Sequence, residues 1–276
     1  MASWVGVGGT LGGFRNLNFA MRIMTYNIRS GRGMDGRLNL SRIAQVIGAE
    51  SPDVVALQEV DSQRKRTTYE DQAHVLAEKL GFHCAFVHAR RWTRGEYGNA
   101  ILSRYPLLDC QRLALPKPAR LPVEARCVLQ CRVGHPDGEV LIWNTHLGLL
   151  AAERRAQVAL VIQEYLRHQE LPLVLCGDFN ARPRSKEIAG LSLHLQRVAS
   201  QRTFPGFLPV VHLDHVFHTK HLRLDGTFVP KTALARRASD HLPLVVDLAF
   251  SKRPDAASAP GFKESSRTGE PSSRPV

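Results

Sequence analysis

The chain has 276 residues, 43% of them hydrophobic, and a formal charge of +12. That apolar share supports a buried core and excludes an intrinsically disordered chain, and no apolar run approaches the roughly 18 residues of a membrane-spanning helix. A soluble, cytoplasmic protein is expected, its 37 Lys and Arg against 25 Asp and Glu favouring contact with polyanions such as nucleic acid or an acidic membrane.

Residues 1–20 are Gly-rich and lack the basic start and apolar segment of a secretory signal, so a flexible extension is expected there. The ordered pattern begins at Met21. Residues 22–28 read as a strand that ends in the turn-prone Ser30-Gly31-Arg32-Gly33. Leu40, Ile43, Ala44, Val46 and Ile47 then recur as one face of a helix. Residues 53–58, introduced by Pro52, form a buried strand, and Ala73, Leu76, Ala77 and Leu80 mark a second helix closed by Gly81. This alternation is an α/β opening.

Strands follow over residues 82–88, 99–103, 125–133 and 140–145, with His135-Pro136-Asp137-Gly138 as a hairpin turn. A helix over 150–167 precedes a buried strand at 173–176, and further strands are expected at 213–217 and 244–248. Residues 251–276, rich in Ser, Pro and Ala, predict a disordered tail. No internal linker divides 21–250, which reads as one catalytic domain. Cys84, Cys110, Cys127, Cys131 and Cys176 are odd in number and lack a disulfide-framework spacing, so all five are expected to be reduced.

Polar residues recur at the ends of the apolar strands, where a sheet delivers side chains to one edge. Asn27 closes the first strand and Glu59 follows the second; Asn99 starts another and His146 ends one. Asp178 and Asn180 follow the next, Asp214 opens a late strand, and Asp240 and His241 precede the last. Carboxylates, amides and imidazoles at one rim suit attack by water on an anionic phosphate ester, which needs charge neutralisation and a base. Glu59 and Asp240 are candidate ligands for Mg²⁺ or Mn²⁺, with Asn27 beside them. Taken singly, each has a plainer reading: Asn27 and Asn180 as turn residues, Asp178 as a helix cap, His146 and His241 as hydrogen-bonded structural histidines.

Seven fragments in order carry a resemblance. Met24-Thr25-Tyr26-Asn27-Ile28, Leu57-Gln58-Glu59-Val60 and Gly98-Asn99-Ala100-Ile101-Leu102-Ser103 come first. Asn144-Thr145-His146-Leu147, Gly177-Asp178-Phe179-Asn180, Leu213-Asp214-His215-Val216-Phe217 and Ser239-Asp240-His241-Leu242-Pro243 follow. Together they resemble the endonuclease/exonuclease/phosphatase superfamily. The resemblance implies an α/β four-layer sandwich, two packed mixed β-sheets flanked by helices, with the active site at one end.

It further implies Glu59 as principal metal ligand with Asn27 and Asp240 nearby, and His241, oriented by Asp214, as general base or phosphate-binding histidine. Asp178 would align or deprotonate the nucleophilic water, Asn180 would hydrogen-bond the phosphoryl oxygen, and His146 would protonate the leaving oxygen or bind phosphate. His146 matches deoxyribonuclease-like and sphingomyelinase-like members; abasic-site endonucleases usually carry Asn there, and an acidic residue soon after the first-strand Asn, in the neighbourhood that Arg29 occupies here. Abasic-DNA repair is therefore disfavoured.

Asn99 and Arg126, together with Arg91 and Trp92 of the basic stretch Arg90-Arg91-Trp92-Thr93-Arg94, are candidate substrate contacts. A nucleic acid substrate is slightly favoured, with a phospholipid or inositol-phosphate headgroup as the alternative. An inactive phosphate-binding module is the remote one. A monomer without a stable protein partner is expected.

Overall fold

The computed structural model describes residues 20–119, 122–199 and 201–251. The expected extension and tail fall outside these, apart from their inner ends at Ala20 and Ser251. In chain order the elements are β1 (Ala20–Asn27), α1 (Leu40–Glu50), β2 (Val54–Ser62), α2 (Gln72–Leu80), β3 (His83–Arg91), β4 (Glu96–Ser103), β5 (Leu107–Ala114) and β6 (Cys127–His135). Then come β7 (Gly138–His146), α3 (Ala151–Tyr165), β8 (Leu173–Asp178), α4 (Lys186–Ser192), β9 (Gln196–Arg197), β10 (Asp214–His218), β11 (Leu222–Phe228), α5 (Ala233–Ala238) and β12 (Leu244–Phe250).

Two mixed sheets of six strands result, ordered β11-β12-β1-β2-β4-β3 and β5-β6-β7-β8-β10-β9. Their inner faces supply Ile23, Val54, Ala56 and Ile101 from one sheet and Leu129, Ile142, Val174 and Val216 from the other, forming the central core. α1, α2 and α5 cover the outer face of the first sheet through Ile43, Ile47, Leu76 and Ala235. α3 and α4 cover the second through Val158, Val161, Ile188 and Leu191. The expected four-layer α/β sandwich is the observed fold. Central strands covered on both faces read as continuous apolar runs, as β2 and β8 do.

Each sheet contains one parallel pair: β1 with β2, joined through α1, and β7 with β8, joined through α3. The carboxyl ends of all four strands lie where side chains can converge. In β2, Val54 and Ala56 face the other sheet while Val55 and Leu57 face the helices. A bulge between Leu57 and Val60 shifts the register against β4. Glu59 takes a left-handed φ of 58° there, and the extra residue returns Val60 to the helix-facing core.

The buried amide of Asn144 in β7 crosses to this bulge. It donates to the carbonyls of Leu57 and Ala100, both at 2.8 Å, and accepts from Gln58 Nε2 at 2.7 Å. Gln58 also donates to Thr25 Oγ1 at 3.0 Å. On the second sheet, Gly177 has a φ of +145°, and a Cβ there would lie 1.9 Å from the Thr145 carbonyl. Only glycine lets β8 approach β7 so closely just before Asp178.

Three expectations are corrected. Cys110 and Cys131 are not both reduced: they are register partners on the antiparallel β5 and β6, with Cα atoms 4.2 Å apart, and form a disulfide. Cys84, Cys127 and Cys176 are free. Asn99 does not start its strand, because cross-strand pairing extends β4 back to Glu96. Asp178 caps no helix; Ser185 caps α4, accepting from the Ile188 amide.

Replacing Asn144 by Ala would leave the buried Leu57 and Ala100 carbonyls without their amide donor and remove one of three acceptors of the Gln58 amide. The Asn144→Ala variant is expected to lose about 3 kcal/mol of stability by urea unfolding. A loss below about 1 kcal/mol would mean that water replaces the bridge without cost.

Candidate active site

At the end of β1, Asn27 Nδ2 donates to Glu59 Oε1 at 3.0 Å and to Asp178 Oδ2 at 3.1 Å. One amide thus ties together the ends of β1, β2 and β8, across both sheets. Its own Oδ1 accepts from the Arg29 amide at 3.0 Å, and Ser239 Oγ donates to the Asn27 carbonyl at 2.8 Å. Those two bonds fix the loop after β1 and the turn that carries Asp240 and His241.

Asp178 is the hub. Its Oδ2 lies 3.6 Å from Nε2 of both His146 and His241, and its Oδ1 accepts from the Asn180 amide at 2.9 Å. Asn180 reaches that position with a left-handed φ of 48°, and its side chain donates to the Leu147 carbonyl at 3.0 Å. His241 Nδ1 lies 2.9 Å from Asp214 Oδ2, which also accepts from Thr203 Oγ1. The ring of Phe204 lies 4.9 Å from that of His241. Asp214 faces Asp178 as its register partner on β10.

Electrostatics separate the two histidines. Burial would lower His241, but Asp214, Asp178 and Asp240 outweigh it and raise the imidazole to about 10. His146, also buried, has Arg126 and His241 as neighbours instead, and its pKa falls well below the ordinary value. One imidazole is therefore held protonated and the other neutral, against the same carboxylate. Burial likewise pushes Asp178 up, beyond what the His241 charge pulls back. Glu59 is raised by burial first; the Asn27 hydrogen bond opposes that and the Asp240 charge adds to it.

Two donor sets could hold a cation. Asp178, Asp214 and His241 place ligand atoms within 4.8 Å of one another, but His241 Nδ1 is already spent on Asp214. Glu59, Asp240 and the Asn27 carboxamide offer the oxygen donors that Mg²⁺ or Mn²⁺ prefers, and a cation there would offset the Asp240 charge that helps raise Glu59. Arg29 Nε lies 3.3 Å from Asp240 Oδ2 and competes for that carboxylate.

The remaining expected residues divide. Arg126 is 6% exposed; its Nη1 contacts Glu124 at 3.2 Å, yet Nε and Nη1 make no hydrogen bond. Its charge acts on Glu59 and His146, so it belongs to the rim. Asn99 is buried and donates to the Cys127 carbonyl at 3.0 Å, bridging the sheets. Arg91 pairs with Glu96, and Trp92 packs against Arg64 and Arg90; both stand outside this cluster. Sequence reasoning missed Gln58 and Asn144 as the cross-sheet support, and Thr203 as the second partner of Asp214. A Gln and an Asn inside apolar strands were the available signal for the first two.

Comparison with known proteins places the chain. A model of the Endonuclease/Exonuclease/phosphatase family matches residues 24–241. YbhP of Escherichia coli K12 is 29% identical over 249 residues, covering 83% of this chain and 96% of that protein. The crystal structure of an endonuclease/exonuclease/phosphatase from Beutenbergia cavernae superposes with a TM-score of 0.68 at 27% identity, covering 86% of this chain and 73% of that one. The Bacteroides thetaiotaomicron mannosyl-6-phosphatase Bt3783 shares the fold, with a TM-score of 0.66 at 22% identity, covering 83% of this chain and 100% of that one.

A raised folded-state pKa at His241 has a definite sign. Its stabilising contribution is complete below the ordinary value of 6.5 and is lost as pH climbs toward about 10. In EDTA, the wild-type melting temperature is therefore expected to fall more steeply between about pH 7 and about pH 10 than that of His241→Gln, which has no titrating group there. Parallel curves would show that the Asp214–His241 pair adds no pH-dependent stability.

Proposed function

Since the chain belongs to the endonuclease/exonuclease/phosphatase family, we propose that it is a Mg²⁺- or Mn²⁺-dependent phosphodiesterase acting on nucleic acid. Hydrolysis of phosphate esters is the family's chemistry. The observation that carries the reading is the convergence on Asp178, where a carboxylate of raised pKa touches Asn27 and faces one charged and one neutral imidazole. A carboxylate so raised is a better base than a solvated one, and groups whose pKa values are driven apart divide acid and base roles.

Glu59 and Asp240, with Asn27, would hold the metal, which when bound supplies positive charge to the phosphoryl oxygens. Asp178 accepts the proton of the attacking water, whose oxygen forms the new bond to phosphorus as the bond to the leaving oxygen breaks, that oxygen taking its proton from solvent. His241, kept charged by Asp214, neutralises the phosphoryl group. His146, kept neutral by burial beside Arg126, hydrogen-bonds the phosphate rather than delivering a proton. The charge of Arg126, paired with Glu124 through Nη1, adds a second cation beside the phosphate, and Asn180 stands at the same edge with one amide hydrogen uncommitted.

The net charge of +12 and the cationic surface around Arg64 and Arg94 favour an anionic polymer over a single small ester. The phospholipid or inositol-phosphate reading keeps the same chemistry at the rim. Supercoiled DNA, RNA, sphingomyelin and phosphoinositides assayed side by side with Mg²⁺ or Mn²⁺ separate the two. Nucleic acid is expected to be cut, and both Glu59→Ala and His241→Ala to lose at least about a hundredfold in kcat. Turnover of lipid alone would overturn the substrate, and full activity in Glu59→Ala would overturn the metal site.

A further inference from the structure

Beside the rim lies an open pocket of about 670 Å³ lined by Arg64, Lys65, Arg66, Tyr69 and Arg94. Four of its five lining side chains are cationic and none is acidic. Arg66 is neutralised by the buried Asp61, to which it donates at 2.7 and 2.8 Å. Arg64, Lys65 and Arg94 have no carboxylate within ion-pair distance among the described residues.

Their guanidinium groups are oriented rather than free. Arg64 lies 3.5 Å above the Trp92 ring and Arg90 lies 4.6 Å from the same ring, while Arg94 lies 4.1 Å above Tyr69. A guanidinium stacked on an aromatic face keeps its in-plane N–H groups available for an oxyanion. The buried Nε of Arg64 has no hydrogen-bond partner.

The backbone holds this arrangement. Gln63, Thr68 and Tyr69 take left-handed φ values of 55°, 56° and 62°. The turn between β3 and β4 packs against them at Gly95, where φ is +86° and a Cβ would lie 2.4 Å from the Gln63 carbonyl. A pocket whose two walls are locked this closely loses little entropy on binding. It is also continuous with the rim. Arg66 Nη2 donates to Ser30 Oγ at 3.1 Å, in the loop after Asn27, and the charge of Glu59 acts on Arg66.

We propose that this pocket binds a second phosphate of a nucleic acid strand, at a distance from the scissile phosphate held at Glu59 and Asp178. The proposal rests on the phosphodiesterase reading above. Phosphates recur along a strand, so a cationic pocket adjoining a hydrolytic rim has a natural second anion only in a polymeric substrate. An acidic bilayer fits less well. The exposed large hydrophobic residue of the pocket is Tyr69, whose ring Arg94 covers, whereas a membrane-docking surface offers apolar tips beside its cations.

The test uses the full chain and single-stranded oligonucleotides of two, six and twelve nucleotides, with bis(p-nitrophenyl) phosphate as a diester too small to reach the pocket. Anisotropy in EDTA reads binding without turnover, and initial rates with Mn²⁺ read hydrolysis. Arg64→Ala/Arg94→Ala is expected to weaken twelve-mer binding about tenfold and flatten its log–log salt slope by about 0.7, the loss of one neutralised phosphate. Turnover of the small diester should stay within about twofold. Lys65→Ala, at an exposed position, should give a weaker change in the same direction.

Unchanged twelve-mer binding and salt slope in the double variant overturn the proposal. So does an equal loss on the small diester, which marks a structural role. Binding to phosphatidylserine vesicles that depends on Arg64 and Arg94, without oligonucleotide binding, also overturns it in favour of a membrane surface. Arginine-dependent oligonucleotide binding with no hydrolysis of any diester would sustain the pocket and refute the phosphodiesterase reading alone.

Discussion

The site depends on one extra residue in β2. Alternation along a strand is strict, so a regular β2 would turn Val60 toward the opposite sheet and carry Glu59 toward the helices. The bulge absorbs one residue at a left-handed Glu59 and returns Val60 to the helix-facing apolar layer. A β-bulge leaves backbone groups without ladder partners, and here Asn144 satisfies the carbonyls of Leu57 and Ala100 from the other sheet. The polar bridge that stabilises the bulge is therefore also the one that ties the sheets together beneath the site. A conformation unfavourable for a glutamate is kept because the surrounding strands and the bridging amide determine it from every side.

From that anchor the rim follows by topology. Parallel strands within each sheet send Asn27 and Glu59 from one and His146 and Asp178 from the other to the same end, and antiparallel β10 starts there with Asp214. The carboxylates so gathered repel one another in a buried setting, and the structure relieves this with hydrogen bonds from Asn27, Thr203 and the Asn180 amide and with the charge on His241. Relief is incomplete. Glu59 remains raised, Asp214 Oδ1 and His146 Nδ1 make no hydrogen bond, and neither does Nε of the buried Arg126. A cation and a phosphate bound as proposed would satisfy these groups.

Much of this was legible in the sequence because each candidate residue ends or begins an apolar run that periodicity detects. The same logic explains what was not. β5 is an edge strand whose residues are mostly exposed, so Leu107–Ala114 shows no alternation to read. α4 and α5 span seven and six residues, too short for a helical period to emerge. β11 carries a register shift between Leu224 and Gly226 that breaks its pattern. The Cys110–Cys131 bridge joins positions 21 residues apart that become neighbours only through the pairing of β5 with β6. Asn99 lay among the right motifs, but its amide is turned to β6 by a cross-sheet approach that no local pattern encodes.

The net charge needs the same resolution into places. A total of +12 is compatible with a basic proteome and no particular partner. Several arginines are consumed locally: Arg22 by Asp247, Arg42 by Asp35, Arg66 by Asp61 and Arg154 by Glu187. These pairs join β1 to β12, a loop to α1, a loop to β2 and α3 to α4, and add little to attraction at a distance. What remains on the side of the rim is a cluster whose cations are stacked on Trp92 and Tyr69 instead of paired with acids. Stacking preserves the charge while fixing its position, whereas an ion pair fixes position by cancelling charge. It is this difference in how arginines are held, more than their number, that makes the surface beside Glu59 suited to an extended anion.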